Sequence, residues 1–402
     1  MSNHDPSPKS TVAGGAAPAD AQRRVSPQSP TRPRSSSTSL HDAGPLGGVR
    51  VLEFASLAPA PFACTLLSDL GADVLRVTNP TDRGLTAAPH PGDPLDRGRT
   101  VVALDLKQPD GLGAALDLAA RADVLVEGMR PGVMERLGLG PDACLERNPR
   151  LIYARMTGWG QDGPFAPRAG HDINYLALSG ALEPLGPPGA PPSPPLNYVA
   201  DFGGGGMLLA VGVLAALVER ERSGRGQVVD AAMTDGAALI SGIVHGLHAR
   251  GLWRRERGGN LFDGSAPFYA TYECSDGGYV AVGAIEPQFY VELIGRLGLA
   301  ERIDVARQHD RSAWPQTARQ LAEAFAARPR DRWAELFAES DACVTPVLTP
   351  WEAAGHPHNA ARGTFTTVDG HVQPAPAPRF SRTPAADPPL PPRALDSAEG
   401  YW

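Results

Sequence analysis

Short apolar runs alternate with helix-patterned stretches through the first part of the chain, and this limits the fold more than any other feature. The runs are "VRVLEF" (Val49–Phe54), "ADVLRV" (Ala72–Val77), "VVALDL" (Val101–Leu106), "DVLVEG" (Asp123–Gly128) and "LIYARM" (Leu151–Met156). Between them lie "PFACTLLSDLGA" (Pro61–Ala72), which ends on a glycine, and the helical pattern of Asp110–Arg121. Strands that are apolar on both faces belong inside a layered fold. Strand–helix alternation predicts a parallel sheet with helices on both faces and right-handed crossovers. "QVVDAAM" (Gln227–Met233) reads as a further strand, and "TDGAALI" opens a helix with Thr234 placed to cap it. No GxGxxG follows the first strand, so the dinucleotide fingerprint is absent.

The texture changes twice. Residues 1 to 43 are rich in Ser, Pro, Ala and Arg and are expected to be a disordered tail. Asp5, Asp20 and Asp42 in that tail argue against an organellar transit peptide. "EPLGPPGAPPSPPLN" (Glu183–Asn197) holds seven prolines and reads as an extended connector. After Leu261, "APFYATYECSDGGYVAVGA" reads as two strands around a Ser-Asp-Gly-Gly turn. Helices are expected over Pro287–Leu297, Trp314–Ala327 and Asp331–Glu339. The expected organisation is a large α/β domain over 44–235, a linker helix region over 236–260 and a small α+β domain over 261–350. Residues 351–402 are expected to return to the large domain.

Bulk properties exclude several classes. A net charge of -7, with scattered arginines and only Lys9 and Lys107 as lysines, offers no surface for nucleic acid. The longest apolar run, "MLLAVGVLAALV" (Met207–Val218), is too short to span a bilayer. Cys64, Cys144, Cys274 and Cys343 show neither CxxC nor zinc spacing, so reduced thiols in a cytoplasmic setting are expected. The pairs His245/His248 and His356/His358 lack a third ligand at metal spacing, so no metal site is expected.

One constellation could carry chemistry. His171 follows Gly170 in "RAGHDINYLALSG", and Asp201 precedes Gly203–Gly206 in "DFGGGG". Glycines let backbone approach a ligand, and a glycine tract opening a helix would present free N–H groups to a developing oxyanion. The competing reading is structural: His171 caps a turn, and Asp201 caps a helix beginning near Met207. Composition and spacing leave both readings open.

The stretches "RMTGWGQDGPFAPRAGHDINYLALSG", "PPLNYVADFGGGGM", "GQVVDAAMTDGA" and "YVAVGAIEPQFY" resemble signature segments of the family III CoA-transferases, the CaiB/BaiF group. "GHDINY" and "AIEPQFY" resemble its α-methylacyl-CoA racemase branch in particular. The resemblance runs from about Gly44 to about Arg382. It implies a large Rossmann-like domain with a parallel sheet, a smaller α+β domain and an interlocked homodimer with shared active sites. It also implies exchange of the proton α to a thioester carbonyl, interconverting (R)- and (S)-2-methylacyl-CoA through an enolate.

On that resemblance His171 and Asp201 are the acid/base pair, and Glu286 is a third acidic residue, reaching the partner's site. The backbone N–H of Asp172 would help hold the thioester oxygen. CoA contacts would fall on Leu104, Asp105, Leu106 and Lys107, on Gly128, Met129 and Arg130, on Arg136, and on Gly170, Ile173, Asn174 and Tyr175. Arg76 and Arg83 are further candidates, because Asn79 stands where the group commonly has an arginine. No separate cofactor is implied, since CoA is part of the substrate. Two other activities remain on this reading: a CoA-transferase with Asp201 as nucleophile, and a non-catalytic acyl-CoA binder.

Overall fold

A computed structural model of the chain describes residues 44–81, 89–387 and 389–402. The expected tail over 1–43 and the candidate Arg83 lie outside the described residues.

In chain order the strands are β1 (Arg50–Phe54), β2 (Asp73–Thr78), β3 (Arg99–Ala103), β4 (Val124–Glu127), β5 (Ile152–Thr157) and β6 (Gln227–Ala232). They continue with β7 (Tyr269–Glu273), β8 (Tyr279–Gly283), β9 (Val344–Pro346), β10 (Phe365–Val368), β11 (His371–Pro374) and β12 (Arg393–Leu395). A seven-stranded sheet has the order β12-β3-β2-β1-β4-β5-β6, and every neighbouring pair is parallel.

The register explains why these strands are apolar on both faces. Leu52 lies opposite Leu75 and Leu125, and these side chains join Tyr153 and Leu118 in a core on one face. Val51, Val74 and Val126 point the other way, into a second core with Leu67, Leu209 and Val213. Successive side chains alternate between the faces, so strands covered on both sides place apolar residues on both faces. The charged exceptions are paired: buried Glu53 meets Arg76 and Arg99 at 3.1 Å.

Strand order reverses between β1 and β4. Chains of this topology leave a crevice at that point, over the carboxyl ends of the strands.

The glycine tract behaves differently from the sequence expectation. The helix starts at Tyr198, runs in wide turns to Met207 and continues as Leu208–Ser223. Gly203–Gly206 therefore lie inside it, and Asp201 sits in its first turn rather than capping a helix near Met207. Close packing is the reason. A Cβ on Gly236 would fall 1.8 Å from the Gly204 carbonyl oxygen, and one on Gly206 would fall 2.6 Å from the Phe62 ring. The glycines let helices Pro59–Asp69 and Met233–Ile240 approach the tract, and three of the four, Gly204–Gly206, are buried. Thr234 is likewise not a cap, because β6 runs straight into helix Met233–Ile240. Its hydroxyl instead donates to the Gly158 carbonyl at 2.8 Å. The helix over Tyr198–Ser223 is long and apolar enough to cross a membrane by length and composition. Leu209, Ala210, Val213, Ala216 and Leu217 bury it against the sheet.

A third core surrounds the antiparallel sheet β7-β8-β9. Phe268, just before β7, and Tyr272, within it, fill it together with Tyr290, Trp314, Leu321, Phe325 and Trp333 from helices Pro287–Arg296, Trp314–Phe325 and Arg330–Phe337. Phe268 and Tyr272 are core residues here, whereas Tyr269 is exposed against Phe262. The C-terminal segment does return to the large sheet. It forms the β10–β11 hairpin and then adds β12 alongside β3. Tyr401 Oη and Trp402 Nε1 each donate to the Asp73 carboxylate at 2.7 Å.

Candidate active site

A cavity of about 600 Å3 lies at the carboxyl ends of β1, β4 and β5, where the strand order reverses. His171 and Asp201 both line it, together with Gly128, Met129, Arg130, Trp159, Gly170 and Tyr175.

His171 holds the cap position of helix Asp172–Ser179 with extended backbone. Its N–H donates to Asn174 Oδ1 at 3.1 Å. The structural reading is thus correct for the backbone, while the exposed imidazole lines the cavity. Behind it, Trp159 meets the Tyr175 ring edge-on at a centroid distance of 4.7 Å. Burial, with the charge of Asp201 second, pushes the Tyr175 phenol up to about 12.

Asp201 is half-buried in the first turn of its helix. Its Oδ2 accepts from Asn197 Nδ2 at 3.2 Å. Burial raises its carboxyl above the ordinary range, the Asn197 hydrogen bond opposes this, the charge of Asp172 adds to it, and that of His171 opposes it. A carboxyl biased toward its neutral form beside an imidazole is an arrangement that can take a proton at one group and deliver one from the other.

The backbone around the pair is held by buried carboxylates. Asp172 Oδ2 accepts the N–H groups of Ala200 and Asp201, both at 2.8 Å. Glu127 Oε2 accepts the Met129 N–H at 2.7 Å, and its Oε1 accepts from Arg155 Nε at 2.9 Å. Burial raises the Glu127 carboxyl, against its hydrogen bonds and Arg155. Through Glu127 the turn carrying Gly128, Met129 and Arg130 is tied to β5. Gly128 has no room for a side chain, since a Cβ there would lie 2.6 Å from Ser56 Oγ.

The other expected residues are distributed more widely. Leu104 and Leu106 pack on the core, and Asp105 Oδ1 accepts the Lys107 N–H at 3.1 Å. Arg136 is exposed at the end of helix Val133–Arg136, and Ile173 and Asn174 are exposed on theirs. None of these lines the cavity. Glu286 is exposed at the start of helix Pro287–Arg296, which packs on the core around β7-β8-β9, and does not line the cavity of its own chain either.

Arg76 does line it but has no free charge to offer. It pairs with Glu53 at 3.1 Å and with Asp96, and donates to the Leu95 carbonyl at 2.9 Å. Asn79 Oδ1 accepts the N–H and hydroxyl of Thr81, each at 2.9 Å, closing a local turn. Asp235 lies in the first turn of its helix, as its position beside Gly236 suggests. Among the described residues no three His, Cys, Asp or Glu side chains gather as a metal-holding group.

Sequence reasoning missed Asn197, Ser56 and the Asp172 carboxylate. Asn197 sits four residues before Asp201, the spacing of neighbours on one helix face, and that was a readable signal. The Gly128 backbone that packs on Ser56 and the amides that Asp172 binds come from distant segments and left none.

The family whose sequence profile matches, over residues 46–395, is CoA-transferase family III. The alpha-methylacyl-CoA racemase of Mus musculus is 49% identical over 342 residues, 85% of this chain and 87% of its own length. The alpha-methylacyl-CoA racemase of Homo sapiens is 47% identical over 341 residues, again 85% and 87%. Among solved structures, a CAIB/BAIF family protein from Brucella suis is 26% identical with a TM-score of 0.73, covering 88% of this chain and 97% of that one.

Proposed function

This chain belongs to CoA-transferase family III, and on that premise we propose that it is a racemase interconverting (R)- and (S)-2-methylacyl-CoA by 1,1-proton transfer. The observation that carries the proposal is the meeting of His171 and Asp201 in one cavity, with burial favouring a proton on Asp201. The relatives named for this activity are also the ones with nearly half their residues in common with it.

The chemistry asks for these groups. An α-proton is far less acidic than a side chain, so the enolate must be stabilised as it forms. Neutral His171 removes the proton from one face of the α-carbon, and protonated Asp201 supplies one to the other. The return reaction uses the opposite protonation states. The first amide of helix Asp172–Ser179 has no partner within the helix, and with the helix dipole it suits the thioester oxygen. Arg130, exposed at the cavity, suits a CoA phosphate. The reaction needs no redox or metal group, because CoA is part of the substrate.

The working form on this reading is a homodimer in the cytoplasm, with the partner subunit's Glu286 completing each site. The exposed apolar residues Val211, Val218, Leu239, Ile240 and Ile243 support such an interface.

The test is incubation of a 2-methylacyl-CoA in D2O. Deuterium should enter the α-carbon with no acceptor acid present, and His171→Ala or Asp201→Ala should slow entry by about 10²–10⁴-fold. Strict dependence on an acceptor acid would instead identify a transferase with Asp201 as nucleophile.

A further inference from the structure

Asp172 is 5% exposed, and its two carboxylate oxygens differ. Oδ2 accepts two backbone N–H groups, those of Ala200 and Asp201, at 2.8 Å. Oδ1 is buried with no hydrogen-bond partner. A buried carboxylate oxygen left unpaired is costly and needs a reason. Two helix N-termini converge on this carboxylate: its own, at Asp172, and that of the helix beginning at Tyr198. Their positive ends let the charge persist without a cation.

We propose that Asp172 is a positioning residue for the His171–Asp201 pair: one oxygen ties the Asp201 backbone to the helix that presents His171, and the other remains an unpaired charge beside them. The inference rests on the acid/base reading of that pair.

The consequence for Asp201 follows from what surrounds it. Helix Asp172–Ser179 supplies His171, Asp172 and Tyr175, and the turn after β4 supplies Arg130. On β5, Arg155 is committed to Glu127 and Glu135. On β6, Asp230 accepts the Gln161 N–H at 3.4 Å and feels Asp235. Helices Pro59–Asp69 and Met233–Ile240 press Pro59, Phe62 and Met233 on the glycine face, and Asp69 is paired with Arg97 at 2.6 Å. Asp172 is therefore the anion that acts on Asp201, and it acts to retain the proton.

In either direction the pair carries one proton between its two members, and the acidic limb of kcat/KM marks the point where both become protonated. Removing the Asp172 charge weakens proton binding at Asp201, so that limb moves to lower pH.

Asp172→Asn keeps an oxygen for the two N–H groups and removes the charge, and the acidic limb of its kcat/KM profile should move to lower pH. Asp172→Ala loses the tie as well, and kcat should fall by about 10²-fold with a smaller change in KM. A D172N profile superimposing on the wild type, or wild-type kcat in D172A, overturns the proposal. A purely structural residue would not move the limb.

Carboxyl 13C titration reads Asp201 without turnover, with the signal assigned through Asp201→Asn. Its midpoint should lie lower in D172N. If D172N does not fold, the wild-type titration still decides. The Asp172 and Asp201 signals should each show an inflection at the other's midpoint, and independent single titrations overturn the idea. Full exchange activity in D201N would refute the acid/base reading and leave the Asp172 titration result standing by itself.

Discussion

The Tyr175 hydroxyl donates to the Gly170 carbonyl at 2.5 Å, fixing the residue that precedes His171. The same ring closes the space over two glycines. A Cβ on Gly158 would lie 2.2 Å from the Tyr175 ring, and one on Gly170 would lie 2.8 Å from it and 2.9 Å from Trp159.

Gly158→Ala should therefore push Tyr175 off its position and carry the His171 turn with it. Overpacking of this kind costs about 1–3 kcal/mol of stability. A displacement of about 1 Å at the reacting groups can cost about 10²-fold in rate. Urea denaturation and α-deuterium exchange measure the two effects separately. Unchanged exchange in a folded G158A would mean that Tyr175 does not set the position of His171.

Glu53 is fully buried between Arg76 and Arg99, both at 3.1 Å. Arg99 also donates to Thr65 at 2.7 Å and to the Arg97 carbonyl at 2.8 Å. Glu53→Ala would leave two guanidinium groups in the core with one carboxylate, Asp96, left on Arg76. Breaking a buried pair from one side costs about 3–5 kcal/mol. Chemical denaturation should show a loss of that size, and a loss below about 1 kcal/mol would mean that water reaches the cluster.

The strands were legible because β1 to β5 are buried on both faces, and an apolar run bounded by turns needs no tertiary knowledge to read. The helix start at Tyr198 was not. Gly203–Gly206 look like a break by propensity, and only the approach of Gly236, Pro59 and Phe62 makes helical glycine favourable there. β12 was missed because three residues, Arg393–Leu395, in a proline-rich stretch carry no periodicity. At the site, the neighbouring glycines singled out His171 and Asp201, while spacing left their role open between a structural and a catalytic one. The roles of Asp172 and Arg76 depend on partners many residues away: Asp172 binds two distant amides, and Arg76, a candidate for phosphate, is already neutralised by Glu53 and Asp96.

Glu352 gives a prediction in pH. Arg330, above all, and the Thr349 N–H hold its carboxyl down at about 2. Arg330 Nη2 donates to Oε1 at 2.8 Å, and the Thr349 N–H donates to Oε2 at 2.8 Å. A carboxylate depressed in the folded state stabilises it above the unfolded value of about 4.3 and stops doing so as pH falls toward about 2. The difference in Tm between wild type and Glu352→Gln should be present at neutral pH, shrink below about pH 4.3 and vanish near pH 2. A constant difference across that range would remove Glu352 as its source.

One acidic group, Asp73, anchors the last two residues of the C-terminal segment. Tyr401 Oη donates to Asp73 Oδ1 and Trp402 Nε1 to Oδ2, each at 2.7 Å, so both carboxylate oxygens are used. Asp73 opens β2, beside β1 in the centre of the large sheet, while β12 lies at its edge. The two aromatic residues thus anchor the segment to a strand other than the one it pairs with. Hydrogen bonds to a charged group contribute about 1.5–3 kcal/mol when one partner is removed. Trp402→Phe and Asp73→Asn should each destabilise the chain by about that much, and the double variant should lose less than the sum. The coupling from this cycle should lie at about 0.5–3 kcal/mol. Additive losses would show that Trp402 holds the segment by packing alone. Exchange activity at 25 °C should stay close to wild type in all three variants, because neither residue lines the cavity.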